Sequence, residues 1–152
     1  MTNTDIALIH EKVKPLLGQK PWRVKLGWGS FITFDFGEKI TQEGGHVFGE
    51  WHLWVLHCAW RIETEDLVLA ASQDNRDNLA IAVKVMGDAS VLSIEILAPA
   101  LETIIQFENG VCLRLFPMHT EKYDSWQLFT PERKVLTIGP GSQWSYQSAD
   151  EP

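Results

Sequence analysis

Residues Gly49–Arg61, GEWHLWVLHCAWR, hold three of the seven tryptophans and two of the five histidines in one apolar run. Read at the two-residue period of a strand, one face carries Trp51, Leu53, Val55, His57 and Ala59. The other carries His52, Trp54, Leu56, Cys58 and Trp60. Both faces are largely apolar, and a strand of that kind is covered on both sides. The run therefore predicts a central strand of a sheet, which constrains architecture more than chemistry.

The remaining pattern supplies neighbours for such a strand. Thr4 or Asp5 can cap a helix over about residues 5–17, with the stripe Ile6, Ile9 and Val13 and a stop at Pro15. Trp22, Val24, Leu26 and Trp28 alternate with Arg23, Lys25 and Gly27, as a half-buried strand does. The Gly29-Ser30 turn then joins it to a strand Phe31–Phe36 as a first hairpin. Residues 37–49, with Gly44-Gly45, read as a loop. Leu67–Ala71 suits a short strand. Leu79, Ala82, Val83 and Met86 recur at helical spacing, which predicts a second helix over Asp74–Met86, although the β-rich AIAVKV allows a strand. Strands follow at Val91–Ala98, Leu101–Glu108 and Val111–Phe116, the last two flanking Asn109-Gly110, the strongest hairpin signal in the chain. Trp126–Phe129, Val135–Ile138 and Gln143–Tyr146 complete the set, and the tail 148–152 reads as frayed. The expectation is a single α+β domain over 1–152, mainly β. It has two helices and an antiparallel meander or curved sheet of about eight to nine strands.

Charge narrows the partners. The chain has 13 basic and 20 acidic residues, a net of −7, which opposes phosphate backbones and argues against nucleic-acid binding. Five of the cations, Lys12, Lys14, Lys20, Arg23 and Lys25, lie in an acid-free stretch between residues 12 and 34. They form the candidate surface for an acidic protein partner or a second copy. Cys58 and Cys112 sit in apolar strand-like runs and make no disulfide framework, which favours a reduced, cytoplasmic setting. No signal peptide and no membrane span are expected from the sequence.

Reaction chemistry finds little footing. His46, His52, His57 and Cys58 are the one local cluster of metal-ligand types. Along an extended strand His52 and Cys58 stand about 20 Å apart, at roughly 3.3 Å per residue, and His57 and Cys58 face opposite ways. No zinc spacing and no nucleophile elbow occur, so no catalytic residue, metal ligand or cofactor is assigned. Gly139-Pro140-Gly141-Ser142 has no helix after it to offer amides to a phosphate. The aromatics remain. Trp28, Trp51, His52, Trp54, His57 and Trp60 are the candidate ligand-binding residues, as walls of a pocket.

The last third, FENGVCLRLFP, YDSWQLFTP and VLTIGPGSQWSY, carries a recognisable pattern. Its positions are Phe107, Asn109, Gly110, Leu113, Leu115, Phe116, Trp126, Leu128, Gly139, Gly141 and Trp144. This resembles small bacterial proteins with the same strand, turn and closing-Trp order, some of which are similar to immunity proteins of toxin systems. The resemblance implies a small α+β domain that binds something, and it carries no active site. The function expected first is a non-enzymatic protein-interaction module, with an immunity-like inhibitor as its sharpest form. A small-molecule binder with a Trp/His-lined pocket is the alternative.

Overall fold

In the computed structural model, residues 2–149 are described. The chain lays down half of one sheet, leaves to build a second, and returns to finish the first. Helix α1 (Asn3–Val13) precedes β1 (Arg23–Leu26), β2 (Ile32–Thr41) and β3 (Val47–Val55). The second sheet is built from β4 (Cys58–Glu63), β5 (Val68–Ala71), β6 (Val91–Leu97), β7 (Glu102–Phe107) and β8 (Cys112–Pro117). Helix α2 (Arg76–Ala82) lies between β5 and β6. Strands β9 (Trp126–Phe129), β10 (Lys134–Ile138) and β11 (Trp144–Ser148) rejoin the first sheet. The orders are β1-β2-β3-β9-β10-β11 and β5-β4-β8-β7-β6, antiparallel at every pairing.

The α+β, mainly β class with two helices holds. The number and arrangement of strands differ: there are eleven, in two sheets. The decisive difference lies in the Trp-rich run, which is two strands in two sheets. The break is at Leu56-His57, whose amides donate to Ser125 O and Asp124 O at 2.9 and 3.2 Å. Those acceptors belong to the segment by which the chain crosses back, so the two crossings hold each other. The break also resets the side-chain alternation. Leu53 and Val55 face the core before it, Cys58, Trp60 and Ile62 after it, and His57 does not share their side.

One buried cluster draws on both sheets and both helices. Phe34 of β2 stacks on Phe107 of β7 at 6.4 Å between ring centroids. Two indoles tie the sheets by hydrogen bonds: Trp60 Nε1 donates to Ser30 O at 2.8 Å, and Trp126 Nε1 to Thr103 Oγ1 at 3.0 Å. Much of the quoted tail pattern belongs to this core, with Phe107, Leu113, Leu115, Trp126 and Leu128 buried and Phe116 exposed.

Smaller corrections have local causes. Helix α1 starts earlier than expected because Thr2 caps it, in a reciprocal capping box with Asp5. It ends at Val13, and a 3-10 turn over Lys14–Leu16 accommodates Pro15. The expected second helix is present but starts at Arg76, capped by Asn75, and passes at Val83 into a 3-10 helix that runs to Asp88; Leu79, Val83 and Met86 of its stripe are all buried. Ser148 belongs to β11 and Ala149 N donates to Arg133 O at 2.9 Å, so the frayed tail does not begin there. Residues 150–152 lie outside the described range.

The expected loop 37–49 is mostly sheet. β2 runs on to Thr41, with a bulge between Phe36 and Lys39. Phe36 pairs with Trp51 and Lys39 with Gly49, so Gly37 and Glu38 together oppose Glu50. Gly37 has φ +75°, the left-handed geometry that starts a bulge of this type. Gly49 opposite is required by space: a Cβ there would sit 2.5 Å from Phe36 O and 2.6 Å from Phe36 N.

Candidate functional site

Pairing register places two rows of side chains across the outer face of the six-stranded sheet. Arg23, Asp35, His52, Phe129 and Val135 form one row. Lys25, Thr33, Trp54, Gln127 and Thr137 form the next. The bulge shifts β2 by one residue, so the outward positions change from Thr33 and Asp35 to Ile40, which pairs with Phe48. A bulge also bends its strand. The arm 38–48 thereby walls a groove of about 850 Å³ whose floor is drawn from the two rows: His52 and Phe129 of the first, Lys25, Thr33 and Trp54 of the second. Its sides are the β1–β2 tip with Trp28 and Phe31, the arm with Ile40 and Phe48, and the β9–β10 turn with Thr130, Arg133 and Lys134. The volume lies in the range of about 300–1,000 Å³ usual for ligand pockets.

A fully buried carboxylate organises the floor. Asp35 has no exposed surface. Its Oδ2 accepts from Arg23 Nε at 2.8 Å, and its Oδ1 accepts from Gly49 N at 2.9 Å and from His52 Nδ1 at 2.7 Å. Arg23 also donates to Val47 O at 2.6 Å, so it ties β1 across β2 to β3. Burial pushes the Asp35 carboxyl up, but the bonds from His52, Gly49 and Arg23 outweigh it and hold the group below the ordinary carboxylate range. An ionised carboxylate only accepts, so His52 Nδ1 carries a proton and Nε2 is the nitrogen left for the groove. The ring is further held by Phe48, edge-on at 5.2 Å, and by Phe129 at 6.2 Å.

The expected pocket residues separate. Trp28, His52 and Trp54 line the groove. Phe31 links the two indoles, at 6.4 Å from each. Trp51 points to the opposite side, toward a smaller depression with Lys12 and Tyr146. Trp60 is core, 3% exposed. His57 lies beyond the groove, with Tyr123 at 4.6 Å and His119 at 6.3 Å. Nearby Asp124 has its carboxyl pushed up by burial, against the pull of His57. The basic residues separate too: Arg23 is committed to Asp35, Lys25 lines the groove, and Lys12 lies over the Tyr146 ring at 4.4 Å. Cys58 is buried and its thiol is pushed up to about 12 by desolvation, which makes it a poor nucleophile. Among the described residues no group of three His, Cys, Asp or Glu is placed to hold a metal ion.

Sequence reading missed Asp35, Phe48, Glu50, Phe129 and Lys134. For Asp35 there was a signal. An acid between Phe34 and Phe36 in the middle of an apolar strand is depleted by propensity and calls for a partner. The others reach the groove only through strand pairing. No helix of the described residues is long and apolar enough to cross a membrane. Compared with known families, curated proteins and solved structures, the chain matches no family model and no relative in sequence or in structure.

Proposed function

We propose that this protein binds a small molecule in the groove on the outer face of the six-stranded sheet, and that the ligand combines a flat aromatic body with an anionic group. The observation that carries the reading is the convergence there of Trp28, Phe31, Phe48, Trp54 and Phe129 around His52, whose ring is pre-oriented by buried Asp35. Aromatic walls with a few fixed polar groups are what flat ligands require. The charged lining residues are Lys25, Arg133 and Lys134 against Glu43 and Glu50, a basic balance on a protein of net −7. Thr33 Oγ1 adds a buried polar atom on the floor without a hydrogen-bond partner among the protein's own groups.

Titration with anilinonaphthalene sulfonate, an aromatic sulfonate, tests this. Expected are saturable enhancement of dye emission, quenching of Trp emission, and loss of both in Trp54→Ala. Absence of saturable binding up to about 1 mM, the weak end of specific affinity, would refute it.

A second reading, a protein-interaction module that includes the immunity-like role, is favoured by Trp28 itself. The residue is 85% exposed, and Trp is enriched at energetic hot spots of interfaces. Sedimentation separates the two for self-association: a concentration-dependent dimer abolished by Trp28→Ala supports this reading and not the first.

A further inference from the structure

The tip that carries Trp28 is built in an unusual way for a loop. All five carbonyls of residues 27–31 accept hydrogen bonds. Gly27 O accepts from Arg76 Nη2 at 2.7 Å, and Gly29 O from Arg76 Nη1. Trp28 O accepts from Phe31 N at 3.1 Å, and Phe31 O from Gly27 N at 2.7 Å. Ser30 O accepts from the Trp60 indole at 2.8 Å. Three of the five bonds come from side chains of α2 and β4, elements 30 to 49 residues away in sequence. Trp60 is itself core, and α2 is anchored by buried Leu79 with Val83 and Met86 beyond it. The tip is thus fixed from behind by rigid elements.

In front it presents the opposite. Trp28 is 85% exposed, and the ring contact it makes is edge-on to Phe31 at 6.4 Å, on the groove side. A large apolar ring held in water gains little for the fold. Satisfying every carbonyl around it makes sense where the ring must already stand in place when an occupant arrives. Ordering a mobile side chain or loop on binding costs affinity, and prior fixation removes that cost. Gly29, at φ +62° with open space where a Cβ would be, serves the turn's geometry alone.

We infer that Trp28 is the outer stacking wall for the flat part of the groove's ligand, and that Arg76 is the positioning residue that holds that wall. Arg76 touches no occupant; it acts through two carbonyls of the tip. The guanidinium suits this task because its planar fork reaches two acceptors at once, which a lysine ammonium on a flexible stem does not reproduce. The inference rests on the ligand-binding reading above, and the class it adds is a planar π-system long enough to reach from His52 to the tip.

Two measurements test it separately. Fluorine NMR of fluorotryptophan-labelled protein, with the Trp28 resonance assigned by Trp28→Phe, reads the tip without any ligand. Arg76→Ala is expected to narrow the Trp28 line selectively and leave the Trp60 and Trp126 lines in place. Anilinonaphthalene sulfonate affinity is expected to fall about fivefold to tenfold in Arg76→Ala, the cost of one newly ordered side chain. It should fall less in Arg76→Lys, more in Trp28→Ala, and recover in part in Trp28→Phe. If Arg76→Ala does not fold, Trp60→Phe removes the indole donor to Ser30 O, together with part of a buried ring, and is expected to move both readouts in the same direction. An unchanged Trp28 line and unchanged dye affinity in Arg76→Ala would overturn the proposal. So would a Trp28→Ala variant that binds dye like the wild type, or one that converts a dimer to a monomer, since a second copy would then cover the ring. Failure of the wild type to bind dye would defeat the ligand class, while the NMR result would still decide whether Arg76 fixes the tip.

Discussion

Replacing Asp35 by Asn is expected to destabilise the protein by about 2 kcal/mol, and replacing it by Ala by about 3 kcal/mol. The carboxylate accepts from Arg23, His52 and Gly49 and has no exposed surface. Asn keeps the shape and one acceptor oxygen, which retains the Gly49 bond. His52 Nδ1 donates to that same oxygen and keeps its bond, while the new amide nitrogen faces Arg23 Nε, so the uncompensated loss is the bond from Arg23. A hydrogen bond to a charged group contributes about 1.5–3 kcal/mol. Ala removes all three bonds, but Arg23 is one-third exposed and keeps its bond to Val47 O, so its charge recovers water and the loss stays at the low end of about 3–5 kcal/mol for a broken buried pair. With a urea slope of about 2 kcal/mol per M, the unfolding midpoints should drop by about 1 M and about 1.5 M. The effect carries a pH signature. The folded Asp35 pKa lies below its unfolded value, so its stabilisation is present above about pH 4 and is lost as pH falls through the folded value. The gap between wild type and Asn variant is therefore full at neutral pH and closes in acid. A gap under about 0.5 kcal/mol at pH 7, or one that persists undiminished at about pH 2, would refute the reasoning.

Gly49→Ala should be among the most damaging single substitutions on the six-stranded sheet. Its Cβ would meet backbone atoms at 2.5, 2.6 and 2.8 Å, and a loss of about 3 kcal/mol should lower Tm by about 6–12 °C in a thermal melt. Trp28→Ala and Trp60→Ala form a contrasting pair in urea unfolding. The exposed indole should change stability by less than about 0.5 kcal/mol, while loss of the buried, hydrogen-bonded one should cost about 3–5 kcal/mol. Cys58 should resist a thiol-directed disulfide reagent in the folded protein, because it is buried and its thiol is pushed up to about 12. Cys112 is half-buried and should react first, as peptide mapping of the modified protein would show. Equal labelling of both cysteines under native conditions would contradict this.

How far the site could be read from sequence depended on how local its causes were. Trp28, His52 and Trp54 were legible as pocket candidates because each is an aromatic at a turn or on an alternating strand. Trp60 looked equivalent to Trp54 by composition, yet it is core, because the alternation restarts at Leu56-His57. Nothing in the sequence marks that restart: no Gly or Pro stands there, and the break is made by bonds to Ser125 and Asp124, far along the chain. Asp35 was visible as an anomaly, but its three donors come from Arg23 of β1 and from Gly49 and His52 of β3, which only pairing brings to it. Arg76 in an exposed first turn of a short helix offers no sign that it reaches the β1–β2 tip.

The sequence by itself determined the class of the fold. Period-two alternation, Asn109-Gly110 and the helical stripe at Leu79, Val83 and Met86 are local signals, and the elements they announce form because a helix or a hairpin pairs its backbone with groups near in sequence and sets its own apolar face. Only the tertiary structure decided that there are two sheets, that the Trp-rich run is divided between them, and that the groove exists at all. Register between distant strands fixes those outcomes. A shift of one residue at a bulge or a break moves every later side chain to the other face, and it is settled by partners remote in the chain.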